Sequence, residues 1–470
     1  MSIAKDMIGN LRCVVTLVFA VSYIVNVFAR FPWLTNVNLV LMVVVLALSL
    51  FSARGTSRVI GAAMIAISMV VLLCMQAPLD VWVKALQKNA DLVVMFIMIP
   101  LLSIPVQHGG YSDSLRSLFL GHLKSEGGYY ALVSGMAAVL GSLISIAAVP
   151  LTYEVARESP HSRNGRLMGS ALSRGFITCM IWAPTSATIA LVASLTPIDW
   201  AGFIPCAVGF VLAVEVIGTT MAALSEKRYS ACAPLATQAR SEDATAVTGA
   251  VKPDGRKLLQ LGLFAVALIV CIAIAAQVFR LSVILVVAMA SLVWPVLWML
   301  VIGRASRFAQ AFKEEYYAKK LPKADRQIVL FVGAGMFAQS IGFSGAGDVL
   351  AQGLLGITGQ SALLLTLGIM ALVLATSAFG VHPIVAVAVI GGAVDPSLCG
   401  ISANYLALTL SVSWALGNAI CPASANVIAV SELVHYSPLD VSLKWNTAFV
   451  LLAVAAFLVF ASAARMVGWL

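Results

Sequence analysis

The sequence predicts an all-α integral membrane protein, with about 11 transmembrane helices and two re-entrant hairpins in two inverted-topology repeats. Three observations predict it. The first is composition: 61% of residues are hydrophobic and 10% charged, where a soluble domain carries roughly 25% charged residues. The second is the recurrence of apolar runs of about 17–25 residues, each long enough to cross the hydrocarbon core as a helix. Alternating segments of the kind that build an outer-membrane barrel are too few. The third is an internal duplication. PTSATIALVASLTPID, from Pro184 to Asp199, returns as PASANVIAVSELVHYSPLD, from Pro422 to Asp440. Pro184, Ser186, Ala187, Val192 and Leu195 meet Pro422, Ser424, Ala425, Val430 and Leu433 in register. A proline-started polar break inside an apolar helix, once per half, is the mark of a repeat-built secondary transporter.

The elements follow in order. Residues 1–89 are scaffold helices, with apolar runs near 12–29, 37–52 and 58–76 and a polar link at Asp80, Lys84 and Lys88. The start MSIAKDMIGNLR lacks a small-residue cleavage signal and reads as a retained first span. Residues 90–222 form the first repeat: a span near 91–106, an interfacial helix after His108, a hairpin near 128–158 with its tip at Ala147 to Pro150, and a broken helix near 167–193. Residues 223–257 are a polar cytoplasmic linker. Residues 258–326 hold two scaffold helices and a basic cytoplasmic helix. Residues 327–470 are the second repeat, with a hairpin near 361–395, a broken helix near 401–432 and a last span near 445–466. Gly110, Asp113, Leu115, Leu120 and Gly121 match Gly345, Asp348, Leu350, Leu355 and Gly356, so the matching blocks keep their order.

Charge fixes the expected orientation. The net charge is +9, and Lys and Arg cluster in a few loops. Positive-inside sorting accounts for that clustering, so the excess points to a membrane surface and not to nucleic acid. With the N-terminus cytoplasmic, the linker and the basic helix fall inside, the C-terminus falls outside, and the two halves have opposite orientation. The eight cysteines form no CxxC or Cys/His spacing, so no metal site or disulfide framework is expected.

The chemistry is expected at the breaks. Pro184 and Pro422 each remove a donor and interrupt the helical ladder. Backbone groups freed in the bilayer need partners. Thr185, Ser186 and Thr188 flank the first break, Ser424 and Asn426 the second. Their oxygens and the freed carbonyls are hard ligands suited to Na⁺, and exposed helix N-termini favour a carboxylate. The hairpin tips supply the other wall: Ser145 and Thr152 in SIAAVPLTYE, and Thr376, Ser377, Gly380 and His382 in TSAFGVHPIV. His382 is the sharpest single residue, able to hydrogen-bond an anion or take a proton; the bland alternative is a histidine satisfied by a neighbouring carbonyl. Arg174, roughly 15 Å before Pro184 along a helix, reads as a snorkelling residue. Asp199 and Asp440 read as caps of the next helices.

These motifs resemble the ion transporter superfamily, which includes divalent anion–sodium symporters, citrate and C4-dicarboxylate carriers, the arsenite pump and some Na⁺/H⁺ antiporters. CPASANVIAV resembles its second broken helix and PTSATIALV the first. The resemblance covers residues from about 90 to 466. It implies a homodimer and an elevator-like movement of the hairpin-containing part. It carries over Ser145, Ser377 and His382 at the tips, together with Thr185, Ser186, Ser424 and Asn426, as substrate-binding residues. Na⁺ is expected at Ser145, Thr188, Ser377 and Asn426. Neither tip contains the Ser-Asn-Thr motif of the dicarboxylate symporters.

The function expected is cation-coupled symport, with Na⁺ or H⁺, of a small organic anion across a bacterial inner membrane, without further cofactors. An inorganic-anion exporter or a Na⁺/H⁺ antiporter is the alternative within transporters. An intramembrane enzyme would need a constellation such as HExxH or G-x-S-x-G, and the sequence contains neither.

Overall fold

The computed structural model describes residues 2–53, 55–117, 125–198, 200–232, 255–346, 349, 352–353, 356, 358–359 and 361–470. The described residues are helical, with no strand among them. The helices are α1 (Ser2–Ala29), α2 (Pro32–Ser52), α3 (Thr56–Cys74), α4 (Leu79–Gln87), α5 (Ala90–Met98), α6 (Ser103–His108) and α7 (Ser112–Ser117). Next come α8 (Glu126–Ile144), α9 (Ala148–Ala156), α10 (Gly165–Trp182), α11 (Ala187–Leu195) and α12 (Trp200–Cys232). Then follow α13 (Gly255–Phe279), α14 (Val283–Val301), α15 (Ala305–Ala311) and α16 (Asp325–Ser344). The chain closes with α17 (Ala362–Ala378), α18 (Ile384–Ala393), α19 (Ala403–Ile420), α20 (Ala425–Val434) and α21 (Trp445–Met466).

Eleven stretches among the described residues are long and apolar enough to cross a membrane. One of them, Glu126–Ala156, folds back on itself: the Tyr129 hydroxyl near the start of α8 donates to Ala156 O at the end of α9, 3.3 Å away. Arg58–Cys74 is shorter than the others. The molecule is apolar on its outer face as well as inside. Val14, Val18, Val21 and Val25 on α1, and Leu259, Leu263, Val266 and Val270 on α13, are exposed. Such continuous apolar faces suit lipid and not water. At the centre, α10 and α19 are buried on all sides from Leu167 to Ile181 and from Tyr405 to Ile420.

Local chemistry sets the helix starts, and it does so twice over. Ser125 Oγ accepts from Gly128 N at the head of α8, and Ser361 Oγ from Leu364 N at the head of α17. Asn164 Oδ1 accepts from Leu167 N before α10, and Ser402 Oγ from Tyr405 N before α19. Ser186 Oγ accepts from Ile189 N before α11, and Ser424 Oγ from Val427 N before α20. Each is an N-cap that satisfies one otherwise free backbone donor. Packing is reciprocal in the same way. α8 lies on α10 as α17 lies on α19; α11 touches α19 and α18 as α20 touches α10 and α9; and α10 crosses α19 directly.

Several expected boundaries move. The polar link after α3 is helical, because Lys84 pairs with Asp80 one turn away at 3.3 Å while Val81 and Ala85 face inward. The first hairpin turns at Ser145–Ala147. Pro150 falls in the first turn of α9, where its missing N–H costs no bond. Helix α12 runs on to Cys232, into the expected linker, of which residues 233–254 lie outside the described residues. So do Leu120, Gly121, Asp199, Asp348, Leu350 and Leu355. Asp440 does not stand at the cap position. Ser437 does: its Oγ accepts from Asp440 N and donates to Asp440 Oδ2, with Pro438 at the first helical position.

Candidate substrate and ion site at the crossing of two broken helices

Both long helices break where the sequence expects. Ala183 and Cys421, the residues before Pro184 and Pro422, adopt extended conformations (φ −73°, ψ 123° and φ −80°, ψ 112°). A proline ring disfavours helical geometry in the residue before it, so the break starts there. Each proline also leaves the carbonyl four residues earlier without its donor. At the second break Asn418 O accepts from Ser424 Oγ at 2.8 Å, and Ala419 O accepts from Asn446 Nδ2 at 3.1 Å. At the first break no side chain bonds to Met180 O among the described residues. The two breaks therefore share an extended residue before the proline but differ in how their freed carbonyls are satisfied.

Each hairpin tip is pressed onto its own broken helix. The Thr185 hydroxyl donates to Ser142 O near the first tip. A Cβ on Gly141 would meet Cys179 Sγ at 2.8 Å, and one on Gly175 would meet Ser134 O at 2.3 Å. At the second tip a Cβ on Gly417 would meet Ser377 Oγ at 2.8 Å and Pro383 Cγ at 3.0 Å. The His382 ring stands edge-on to Trp414, with centroids 6.1 Å apart.

The predicted residues have distinct surroundings. Ser186 and Ser424 cap the second half-helices. Ser377 Oγ donates to Val373 O in its own helix at 2.6 Å. Ser145 is half-buried, has φ 53°, and its hydroxyl has no partner among the described residues. A positive φ away from glycine costs about 1–3 kcal/mol and is held only where the surroundings demand it. His382 Nδ1 accepts from Ile384 N at 3.2 Å, which leaves Nε2 as its donor. Asn426 is buried, and its Nδ2 donates to Ser173 O and Ser173 Oγ at 3.1 and 3.2 Å. Thr188 Oγ1, Asn426 Oδ1, Thr409 Oγ1 and Ser411 Oγ are buried oxygens without a hydrogen-bond partner. An unsatisfied polar atom in an apolar interior costs about 1–3 kcal/mol. Hydroxyl, amide and carbonyl oxygens around such points suit a small hard cation or a donor-bearing solute.

Three residues at the crossing were not singled out for it. Asn446 donates to Ser173 Oγ and Ala419 O, and its Oδ1 accepts from Arg174 Nε at 2.9 Å. Ser173 receives both Asn426 and Asn446. Arg174 does not snorkel: it is 6% exposed, donates to Trp445 O at 2.7 Å, and lies over the Phe449 ring at 4.6 Å. A guanidinium in apolar surroundings needs acceptors, and the amide and carbonyl of the next repeat supply them. Polar residues in the buried stretch of α10 and the head of α21 were the available signal for all three.

A cavity of about 680 Å³ opens on the other side of the first break, lined by Trp182, Pro184, Ile198, Ile204, Ile272 and Gln277 among others. Its wall is chiefly apolar and holds none of the predicted site residues.

The fold and site together define a multi-pass helical membrane protein in which two interrupted helices cross. No family model and no curated protein matches the sequence. Among solved structures, the chain is similar to that of the Alcanivorax borkumensis YdaH transporter, described as having an unusual topology. The TM-score is 0.57 at 18% identity, over 82% of this chain and 88% of that one. The likeness is one of fold.

Proposed function

We propose that this chain is a secondary active transporter that moves a small organic anion together with Na⁺ or H⁺. It works as an inverted-repeat pair, residues 90–222 and 327–470, with the hairpins and broken helices shifting as one body against α1–α3, α13 and α14. The observation that carries the reading is the reciprocal crossing of α10–α11 and α19–α20, with Thr188, Asn426 and Ser411 oxygens buried and unpartnered there. Broken helices at mid-membrane expose the backbone dipoles that hold ions and carboxylates in such carriers. The structural likeness to a transporter supports the same class. The assembly is a homodimer in a bacterial inner membrane, N-terminus inside and C-terminus outside, and the protein performs no covalent chemistry.

Uptake into proteoliposomes tests this directly. A panel of labelled mono-, di- and tricarboxylates and sulfonates is offered under imposed Na⁺ or H⁺ gradients. Saturable counterflow of at least one anion is expected; counterflow of none overturns the organic-anion reading. Within that assay His382→Ala should raise the KM for the transported anion by about 10- to 100-fold, the effect of one lost hydrogen bond to a charged group worth roughly 1.5–3 kcal/mol. His382→Gln, which keeps a donor, should recover part of it. An unchanged KM in both variants would make His382 a packing residue.

A further inference from the structure

Glu215 is a carboxyl within a membrane span that nothing so far uses. It lies on α12, inside the apolar stretch Gly202–Ser225. Its Oε1 accepts from Ser134 Oγ on the first hairpin arm at 2.9 Å and stands 3.4 Å from Thr178 Oγ1 on the first broken helix. Thr178 also donates to Gly175 O at 2.7 Å, so its single proton is shared and the carboxyl rests chiefly on Ser134. One turn along α12, a Cβ on Gly218 would meet the Tyr130 hydroxyl at 2.2 Å, so α12 is notched to admit that ring. The Tyr130 ring in turn lies 5.9 Å from the Arg174 guanidinium. Arg174 continues the polar path to Asn446, then Ser173, then Asn426 at the second break.

Two charges thus stand on helices packed about the Tyr130 ring without touching. Glu215 has no basic partner within 4.0 Å, and Arg174 has no carboxylate partner, among the described residues. The elements packed on α12 bring few other titratable groups. On α8 these are Glu126 at its head, Tyr129 and Tyr130; on α10, Arg166 at its head, Arg174 and Cys179. α19 carries Tyr405, which bonds Thr366, and no charge; α21 carries only Arg465, in its last turn and bonded to Gly400 O. The pair is also absent from the other repeat. By the register of the two breaks Arg174 matches Val412, and by that of Asp199 and Asp440 Glu215 matches Ala456, whereas Ser173 matches Ser411. What the fold needs is repeated; this pair is not.

We propose that Glu215 is the proton-coupling site of the transporter, and that it works by charge balance with Arg174. With Glu215 ionised, the region is neutral overall. When the carboxylate takes a proton from water, forming one O–H bond, Arg174 is left as an uncompensated cation beside the crossing, and an anion is drawn in to balance it. Release of the anion on the other side favours return of the proton to water there. One proton and one anionic charge therefore move together. This deepens the proposed transport function and rests on it.

Two measurements separate the proposals. Infrared difference spectra of the purified protein in lipid, between mildly alkaline and mildly acid buffer, should show a protonated-carboxyl C=O band that shifts in heavy water and is missing in Glu215→Gln. A band of full intensity and unchanged pH dependence in that variant overturns the assignment of Glu215, whatever is transported. In proteoliposomes loaded with the carboxylate and sulfonate panel, an inward proton gradient should accelerate wild-type uptake. Glu215→Gln should lose that acceleration and accumulate no anion, yet keep counterflow, because its neutral amide leaves Arg174 permanently uncompensated. Gradient-driven accumulation by Glu215→Gln overturns the coupling role. Ser134→Ala, which keeps the carboxyl but removes its principal donor, should shift the pH at which both signals change; it serves as the second variant if Glu215→Gln does not fold. If no anion moves in any variant, the transport reading falls, while the infrared band still decides whether Glu215 takes up a proton.

Discussion

Replacing Gly175 by alanine should lower the thermal midpoint of the protein in detergent markedly. A Cβ at this position would lie 2.3 Å from Ser134 O, 2.6 Å from Ser134 Cα and 2.8 Å from Ser134 C. These are backbone atoms of α8, so no side chain can rotate out of the way. The hairpin arm would have to move off the broken helix. Overpacking of a close-packed interior costs about 1–3 kcal/mol, and more when the backbone must shift. The same displacement would carry Ser134 away from Glu215 and loosen the contact between Thr185 and Ser142. Gly135→Ala is the control, since a Cβ there meets nothing within 4 Å. In a helix interior that change should stabilise by roughly 0.5–1 kcal/mol. Equal midpoints for the two variants would refute the close approach of α8 and α10.

Asn426→Ala should abolish transport in proteoliposomes while the protein still folds. Its Nδ2 is the direct link from the second break to Ser173 on the first broken helix. Removing it forfeits two hydrogen bonds, each worth about 0.5–1.5 kcal/mol. The fold survives that loss because Asn446 still holds Ser173 Oγ and Arg174 still holds Trp445 O. The unpartnered Oδ1, the oxygen best placed to meet a cation or a donor, disappears with the side chain. Size-exclusion and melting profiles close to wild type, with uptake at the background of empty liposomes, are the expected pair of results. Wild-type uptake would remove the second break from the site.

Much of this architecture was legible from short stretches of sequence. The breaks at Pro184 and Pro422 follow from a missing N–H and the extended residue before each ring, both local effects. Ser186 and Ser424, expected as substrate-binding residues, cap the second half-helices instead; each accepts from a backbone N–H three residues on, a local signal that the sequence reading passed over. The hairpin turn was displaced toward Ser145 because Pro150 is tolerated in a first helical turn as readily as in a tip. The link at Asp80 became helical because its charges pair along one face.

By itself, then, the sequence determined that the chain is helical and apolar on its outer face, and where its long helices break. Those properties depend on hydrophobicity and on contacts within about one helical turn. Only the tertiary structure decided that Arg174 turns inward to Asn446, 272 residues away, and that Glu215 meets Ser134 across 81. A polar side chain in an apolar interior takes whichever acceptor the packing of distant helices brings to it, and no local spacing encodes that choice.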